Sequence, residues 1–110
     1  MMTEATIRSI KSNFLAECKE DDCGLWFLVN LIKDQYPEAS GALIKEKALR
    51  ILHELLKDVQ IKAVSIDYVS GSSEEWALSV EETIKKISEE WEAKWKGMNG
   101  FDDIVWFVTP

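Results

Sequence analysis

Apolar residues recur at helical spacing through the first half of the chain. A first helix is predicted after Thr3, whose side chain can cap its N-terminus. Its apolar stripe runs at steps of three and four and consists of Ile7, Ile10, Phe14 and Cys18. Gly24, just after the acidic cluster 20–22, breaks the helical pattern.

Two further helices are predicted before the pattern changes. Residues 25–36 are apolar nearly all round, which predicts a helix buried on most sides, with Trp26 in the core. Pro37 disfavours helical geometry at the preceding residue and ends this helix. Ser40 starts a third helix, whose broad apolar face makes it the expected central helix. That face consists of Leu43, Ile44, Ala48, Leu49, Ile51, Leu52, Leu55, Leu56 and Val59.

The hydrophobic period changes from helical to alternating at Ile61. Residues 62–69 alternate and are rich in β-branched side chains, which predicts a strand. A turn is expected at 71–74, followed by a short second strand at 76–78. Ser79 and Glu82 have the spacing of a capping box for a fourth helix, which Gly97 can end. The apolar stripe of this helix is Val80, Ile84, Ile87, Trp91 and Trp95, and residues 104–108 predict a final strand.

These elements predict a single α+β domain over residues 1–110. It has three N-terminal helices, a β-hairpin, a fourth helix and a C-terminal strand. With 110 residues that are 46% hydrophobic, the chain can build one core without a disulfide or a metal. The order of elements in residues 3–78 is winged-helix-like, but a likeness of fold does not assign a function.

Charge narrows the classes of partner. The formal net charge of −7 disfavours nucleic acid and anionic membranes, both of which recruit basic surfaces. No apolar run approaches the ~18 residues that a bilayer crossing needs, and residues 1–4 do not resemble a signal peptide. We therefore expect a cytoplasmic protein in which Cys18 and Cys23 stay reduced.

The residue types that carry catalysis do not form a recognisable motif. His53 is the single histidine and has no second ligand at metal spacing. The adjacent carboxylate pairs project in different directions and lack the spacing of a calcium loop. Nucleophile motifs and glycine-rich phosphate loops are also missing. We expect neither enzymatic activity nor a cofactor or metal.

The last third of the chain combines tryptophans with carboxylates. Residues 59–110 contain ten acidic and five basic residues, and four of the five tryptophans. Trp91, Trp95 and Trp106 are expected in the core, whereas Trp76 is expected to be partly exposed beside a hairpin. Large aromatic side chains beside carboxylates suit a basic protein partner. The predicted contact residues, all near or in loops, are Glu74, Glu75, Trp76, Asp102 and Asp103.

A resemblance gives this prediction a biological setting. The segment WALSVEETIKKISEEWEAKW, a short glycine-containing loop and FDDIVWFVT together resemble a family of small, uncharacterised acidic bacterial proteins. These proteins end in a tryptophan-bearing helix and a D-I-x-W-F strand. They are similar to immunity proteins of polymorphic or contact-dependent growth inhibition toxin systems. The resemblance covers about residues 40–110 and supplies no contact residues.

Three functional hypotheses follow. The resemblance implies an immunity factor that binds a cognate toxin with a basic surface, a nuclease above all, and occludes its active site. The alternative is a winged-helix-like regulatory or adaptor domain, for which Lys45, Lys47 and Arg50 of the third helix would face DNA. A third is a binder of small ligands under the tryptophans. A monomer and a homodimer are both compatible with the sequence.

Overall fold

The protein, seen here as a computed structural model, is described at residues 3–21, 23–66, 69–94 and 105–110. Within these residues it has the predicted α+β composition, with four helices and one antiparallel sheet of four strands. The elements are α1 (Glu4–Glu20), β1 (Cys23–Gly24), α2 (Leu25–Gln35), α3 (Gly41–Lys57), β2 (Lys62–Ile66), β3 (Ser73–Glu75), α4 (Val80–Lys94) and β4 (Trp106–Val108). The predicted order of helices, hairpin, fourth helix and final strand is confirmed. The two-residue strand β1 was not predicted.

Side-chain caps start three of the helices. The Thr3 hydroxyl accepts a hydrogen bond from the Thr6 amide, and the Ser40 hydroxyl accepts one from the Leu43 amide. Ser79 starts α4 in the same way, as the capping box predicts. These hydroxyls satisfy amides that have no partner within the first turn of a helix.

The predicted stripe of α1 is buried in full, and α3 buries five residues of its apolar face. The prediction for α2 was wrong at Trp26, which is 39% exposed. The prediction for α3 was wrong at Val59, which lies beyond the end of the helix and is 64% exposed. Trp95 and Gly97 lie outside the described residues.

The hairpin was placed too late along the chain. The second strand is Ser73–Glu75 rather than 76–78. The Trp76 amide still donates to the Ala63 carbonyl, but the Leu78 amide donates to the Trp76 carbonyl. This tight turn directs the chain away from the sheet toward α4, so the strand ends before Trp76.

The strand order is β1-β4-β2-β3, which leaves β1 and β3 at the two edges. One row of cross-strand neighbours, Cys23, Phe107 and Ala63, is buried in the same cluster as the helices. We call this side of the sheet the inner face. Successive side chains of a strand point to opposite faces. The neighbouring row therefore lies on the other side, which we call the outer face.

The outer-face row crosses all four strands. It consists of Gly24, Trp106, Val64 and Glu75, each paired with the next across a strand boundary. Val64 is only 4% exposed, yet it does not belong to the core cluster of the inner face. The middle of the outer face is therefore covered rather than open to solvent.

Helix α3 packs against α2 and α4. Ion pairs join it to α1 through Lys11–Glu54 and Arg50–Glu4, and to α4 through Lys45–Glu92. Residues from all four helices and from the inner face of the sheet share one core. The broad apolar face of α3 gives it the central position that its sequence predicts.

Candidate functional site

The β3 edge, which we define as Ser73, Glu74, Glu75 and Trp76, contains three of the five predicted contact residues. The first three side chains are all exposed. Strand β3 pairs with β2 along one side, and within the described residues no strand pairs with its other side. The outward N–H and C=O groups of an edge strand are the ones with which a partner strand can pair.

Successive side chains of β3 point to opposite faces of the sheet, so the carboxylates of Glu74 and Glu75 lie on different faces. Glu75 lies on the outer face, where its carboxylate is 3.7 Å from Nζ of Lys62. Glu74 pairs with Ser65 in the register and therefore lies on the other face. Both ends of the ion pair are well exposed, so its contribution to stability is small. A partner would meet one carboxylate on each side of the strand.

Trp76 is half-buried at the border between the sheet and α4. Its Nε1 donates a 2.7 Å hydrogen bond to Oγ of Ser65, and its ring packs against the core. Nζ of Lys86 lies 4.1 Å from the ring centroid, within range of a cation–π interaction. The indole is therefore held in place, and its N–H group and one ring face are already in use.

Asp102 and Asp103 lie outside the described residues. The site is therefore described without these two predicted contact residues.

Trp26 is the exposed aromatic residue that the sequence analysis missed. A Cβ atom built on Gly24 would come within 2.5 Å of Cδ1 and Nε1 of Trp26, so the indole lies directly against the glycine backbone. The same Cβ would be 3.4 Å from a ring carbon of Trp106. Trp26 thus covers the β1 end of the outer-face row, at the sheet edge opposite β3.

A signal for this position was present in the sequence. The buried residues of α2 are Leu25, Leu28, Val29 and Ile32. Trp26 is four and seven residues before Asn30 and Lys33, so it shares the polar face of the helix rather than the buried stripe. The high apolar content of the segment concealed this face.

The basic residues proposed for DNA contact are largely engaged. Lys45 pairs with Glu92, and Arg50 pairs with Glu4 at 3.0 Å. These carboxylates place negative charge where phosphates would have to approach. The arrangement of α3 in the described part of the chain therefore disfavours insertion into a DNA groove.

His53 faces α4, with its Nε2 atom 3.7 Å from the Glu81 carboxylate. Among the described residues, no group of three or more histidine, cysteine or acidic side chains could hold a metal ion. Cys18 and Cys23 are both buried and are not joined in a disulfide.

A cavity of about 640 Å³ lies at the connection between α2 and α3. Its walls include Tyr36, Pro37, Ala39, Leu43 and Lys47. The volume is in the range of ligand sites. None of the described residues that line this cavity is a tryptophan, so it differs from the site under the tryptophans that the sequence analysis considered.

Comparisons with protein-family models, curated proteins and solved structures gave no match for this chain. Within the described residues, no helix combines the length and the apolar character that crossing a bilayer requires. Function is therefore inferred from the geometry of the chain itself.

Proposed function

We propose that this chain is an immunity factor for a cognate bacterial toxin, of which a nuclease is the favoured kind. It binds the toxin and occludes the toxin's basic active site. The observation that carries the proposal is the β3 edge, an exposed strand at the border of the sheet that presents Glu74 and Glu75. A basic strand or loop can pair with its backbone while lysine or arginine side chains meet the two carboxylates.

The charge of the whole chain supports the same partner. A net charge of −7 on 110 residues attracts a basic protein over long range and raises the rate of encounter. In a nuclease, the groove that binds nucleic acid is basic, and carboxylates can take the place of phosphates there. Fast association also suits a protein that must act before its cell is damaged.

The two carboxylates also have a simpler explanation. Charged side chains on an edge strand prevent its pairing with other copies of the same strand. Under that explanation, Glu74→Gln/Glu75→Gln would cause self-association and leave partner binding unchanged. Under the proposed function, the same double variant loses affinity for the partner.

The test uses the protein encoded by the reading frame next to this gene as the probe. We expect that protein to arrest growth when expressed alone, and co-expression of this chain to restore growth. Calorimetry with the two purified proteins should give a 1:1 complex. Absence of both toxicity and binding would exclude the proposed function.

A control variant that loses the same charge elsewhere on the surface tests whether the β3 edge is the binding site. Glu74→Gln/Glu75→Gln should weaken binding by about tenfold or more, because charge pairs buried at an interface are costly to break. Glu17→Gln/Glu46→Gln removes the same charge from exposed positions on α1 and α3. We expect the control to weaken binding by less than about threefold, since it alters only long-range attraction. Equal losses would place the interface elsewhere.

A further inference from the structure

The backbone of β3 bonds to its partner strand β2 only at every second residue. In an antiparallel pair, residues opposite each other alternate between positions with and without hydrogen bonds. The Trp76 amide donates to the carbonyl of Ala63, the residue opposite it in the register of the two strands. Counting back along β3 from this position, Glu75 does not bond to β2, Glu74 does, and Ser73 does not.

The two residues that do not bond to β2 direct their backbone toward the free side of the strand. These are Ser73 and Glu75, and each has one N–H and one C=O group. Both residues are exposed, and within the described residues no strand pairs with this side. Residues two apart on a strand are separated by about 6.8 Å. An antiparallel partner strand can therefore form a hydrogen-bonded pair with each of them.

The two carboxylates of the edge are not equally free. On the outer face, Glu75 already pairs with Lys62 at 3.7 Å. On the inner face, Glu74 forms no ion pair among the described residues. Lys86, which lies over the ring of Trp76, does not pair with Glu74 either. Glu74 is thus the carboxylate that can take a cation from a partner without losing an existing ion pair.

A residue opposite Glu74 in a partner strand would lie very close to it. Because Ser73 and Glu75 would form the hydrogen-bonded pairs, Glu74 would be in a pair without hydrogen bonds, in which the two Cα atoms are about 4.5 Å apart. Opposite charges at such positions stabilise the pairing of strands, and like charges destabilise it. A lysine or arginine opposite Glu74 is therefore favoured.

A second copy of this chain fits the same edge poorly. An antiparallel pair of copies that uses both outward residues of each would place Ser73 opposite Glu75, and Glu74 opposite Glu74. The two Glu74 carboxylates would then repel each other across the pair. Each copy also carries a net charge of −7. The occupant that suits the edge is a basic strand of another protein.

We propose that a strand of the basic partner adds to the sheet antiparallel to β3, bonds to the backbone of Ser73 and Glu75, and places a lysine or arginine opposite Glu74. This inference rests on the proposed function and specifies the partner segment, its register and the more important carboxylate. All strand pairs in the described part of the sheet are antiparallel, and this pairing is slightly more stable per residue than the parallel one.

Hydrogen exchange followed by NMR tests the backbone pairing without any substitution. In the free protein, we expect the amides of Ser73 and Glu75 to exchange faster than that of Glu74, which bonds to β2. Adding the protein encoded by the neighbouring reading frame should slow exchange at Ser73 and Glu75 by about tenfold or more. Unchanged exchange of these two amides in the complex would overturn the strand addition.

A proline substitution tests the same hydrogen bonds by calorimetry with the same partner. Ser73→Pro removes an outward N–H group and keeps the bonds to β2, since proline is tolerated where the N–H of an edge strand faces solvent. We expect it to weaken binding by about tenfold. Ser73→Ala, the matched control, keeps the amide and should weaken binding by less than about twofold. Thermal unfolding is recorded for both variants, and if Ser73→Pro does not fold, the exchange measurement decides.

Single substitutions test the position of the cation. Glu74→Gln should weaken binding by about tenfold, because it removes the charge that the partner cation meets. Glu75→Gln should weaken binding by less than about threefold, because Lys62 already shares the charge of Glu75. Equal losses in the two variants would overturn the placement of the cation opposite Glu74.

The outcomes separate this inference from the proposed function. If the wild-type chain binds and a folded Ser73→Pro variant binds equally well, the strand addition is refuted and the proposed function stands. If the wild-type chain does not bind, both fail. Sedimentation of the free protein is a further check, since a wild-type dimer that Ser73→Pro dissociates would show that a second copy occupies the edge. That result would also overturn the inference.

Discussion

Val59 places a β-branched side chain in the left-handed region of backbone space, with φ of 56°. It follows the end of α3, where the Val59 amide donates to the Leu56 carbonyl and the Gln60 amide donates to the Leu55 carbonyl. These two bonds form a Schellman motif, in which glycine is the usual residue at the left-handed position. The side chain is mostly exposed and contributes little packing in return.

Val59→Gly should therefore stabilise the protein. Relief of the left-handed strain is worth about 1 to 2 kcal/mol, and the greater flexibility of unfolded glycine offsets part of it, so we expect a net gain of about 1 kcal/mol. Urea unfolding measures the change. Val80→Gly makes the same replacement at a valine inside α4, where the backbone is helical, and it should not stabilise. A Val59→Gly variant less stable than wild type would contradict the strain argument.

At the scale of elements, the start of α4 shows how a local motif acts on both a helix and a pKa. The Ser79 hydroxyl accepts from the Glu82 amide, and the Glu82 carboxylate accepts from the Ser79 amide, both at 3.1 Å. The hydrogen bond from the Ser79 backbone, and next the one from its side chain, hold the pKa of Glu82 below its usual value. The ionised carboxylate is thus the form that the folded helix prefers.

Ser79→Ala should lower the free energy of unfolding by about 1 kcal/mol, the usual effect of losing an N-terminal cap. Urea unfolding measures the loss, and Ser12→Ala, at an exposed interior position of α1, should be neutral or slightly stabilising. An unchanged stability in Ser79→Ala would show that the cap contributes nothing.

The same motif predicts a pH dependence. Because the pKa of Glu82 is lowered on folding, its stabilising contribution is present above the unfolded pKa and is lost as pH falls through the folded pKa. An NMR titration should find the Glu82 midpoint below the usual glutamate value. In Ser79→Ala the midpoint should rise but stay lowered, because the backbone donor remains.

The elements also show how much of the secondary structure can be predicted from local sequence pattern. The caps at Thr3, Ser40 and Ser79 could be predicted because each uses a hydroxyl next to an apolar period. Strand β1 could not, because two residues are too few to show alternation and they become a strand only by pairing with β4. The sequence predicted β3 too late in the chain for a similar reason. The limits of a strand depend on its partner strand and on the turn that follows.

At the scale of the whole molecule, the strand order determines which residues are neighbours on the outer face. Strand β4 comes last in the chain but lies between β1 and β2. It thereby places Trp106 between Gly24 and Val64 and completes the outer-face row from Gly24 to Glu75. The excess of negative charge, a net −7 over 110 residues, is likewise a property of the whole molecule.

The rate of complex formation should consequently depend on salt. We expect the association rate constant with the neighbouring-frame protein to fall by about tenfold between ~0.02 M and ~0.5 M salt, because screening shortens the reach of the charges. Stopped-flow fluorescence measures it. Glu74→Gln/Glu75→Gln should mainly speed dissociation, because it breaks charge pairs buried at the interface, whereas the control Glu17→Gln/Glu46→Gln should only slow association. A rate that does not change with salt would rule out electrostatic steering by this chain.

The candidate site was predictable in part. Glu74, Glu75 and Trp76 were singled out because they are acidic and aromatic residues beside a predicted turn, and the structure places them at a sheet edge. Which face each one occupies could not be predicted, since a shift of the strand by one residue exchanges the faces. Trp26 was missed because the apolar content of α2 outweighed the polar positions that share its face.

The sequence by itself determined the helices, their caps, the class of the fold and the excess of negative charge. Each of these depends on residues close together in the chain, through periodicity, capping and composition. The tertiary structure decided the strand order, the exposure of Trp26 and the outer-face row from Gly24 to Glu75. These depend on pairing between residues far apart in sequence, which local pattern does not specify.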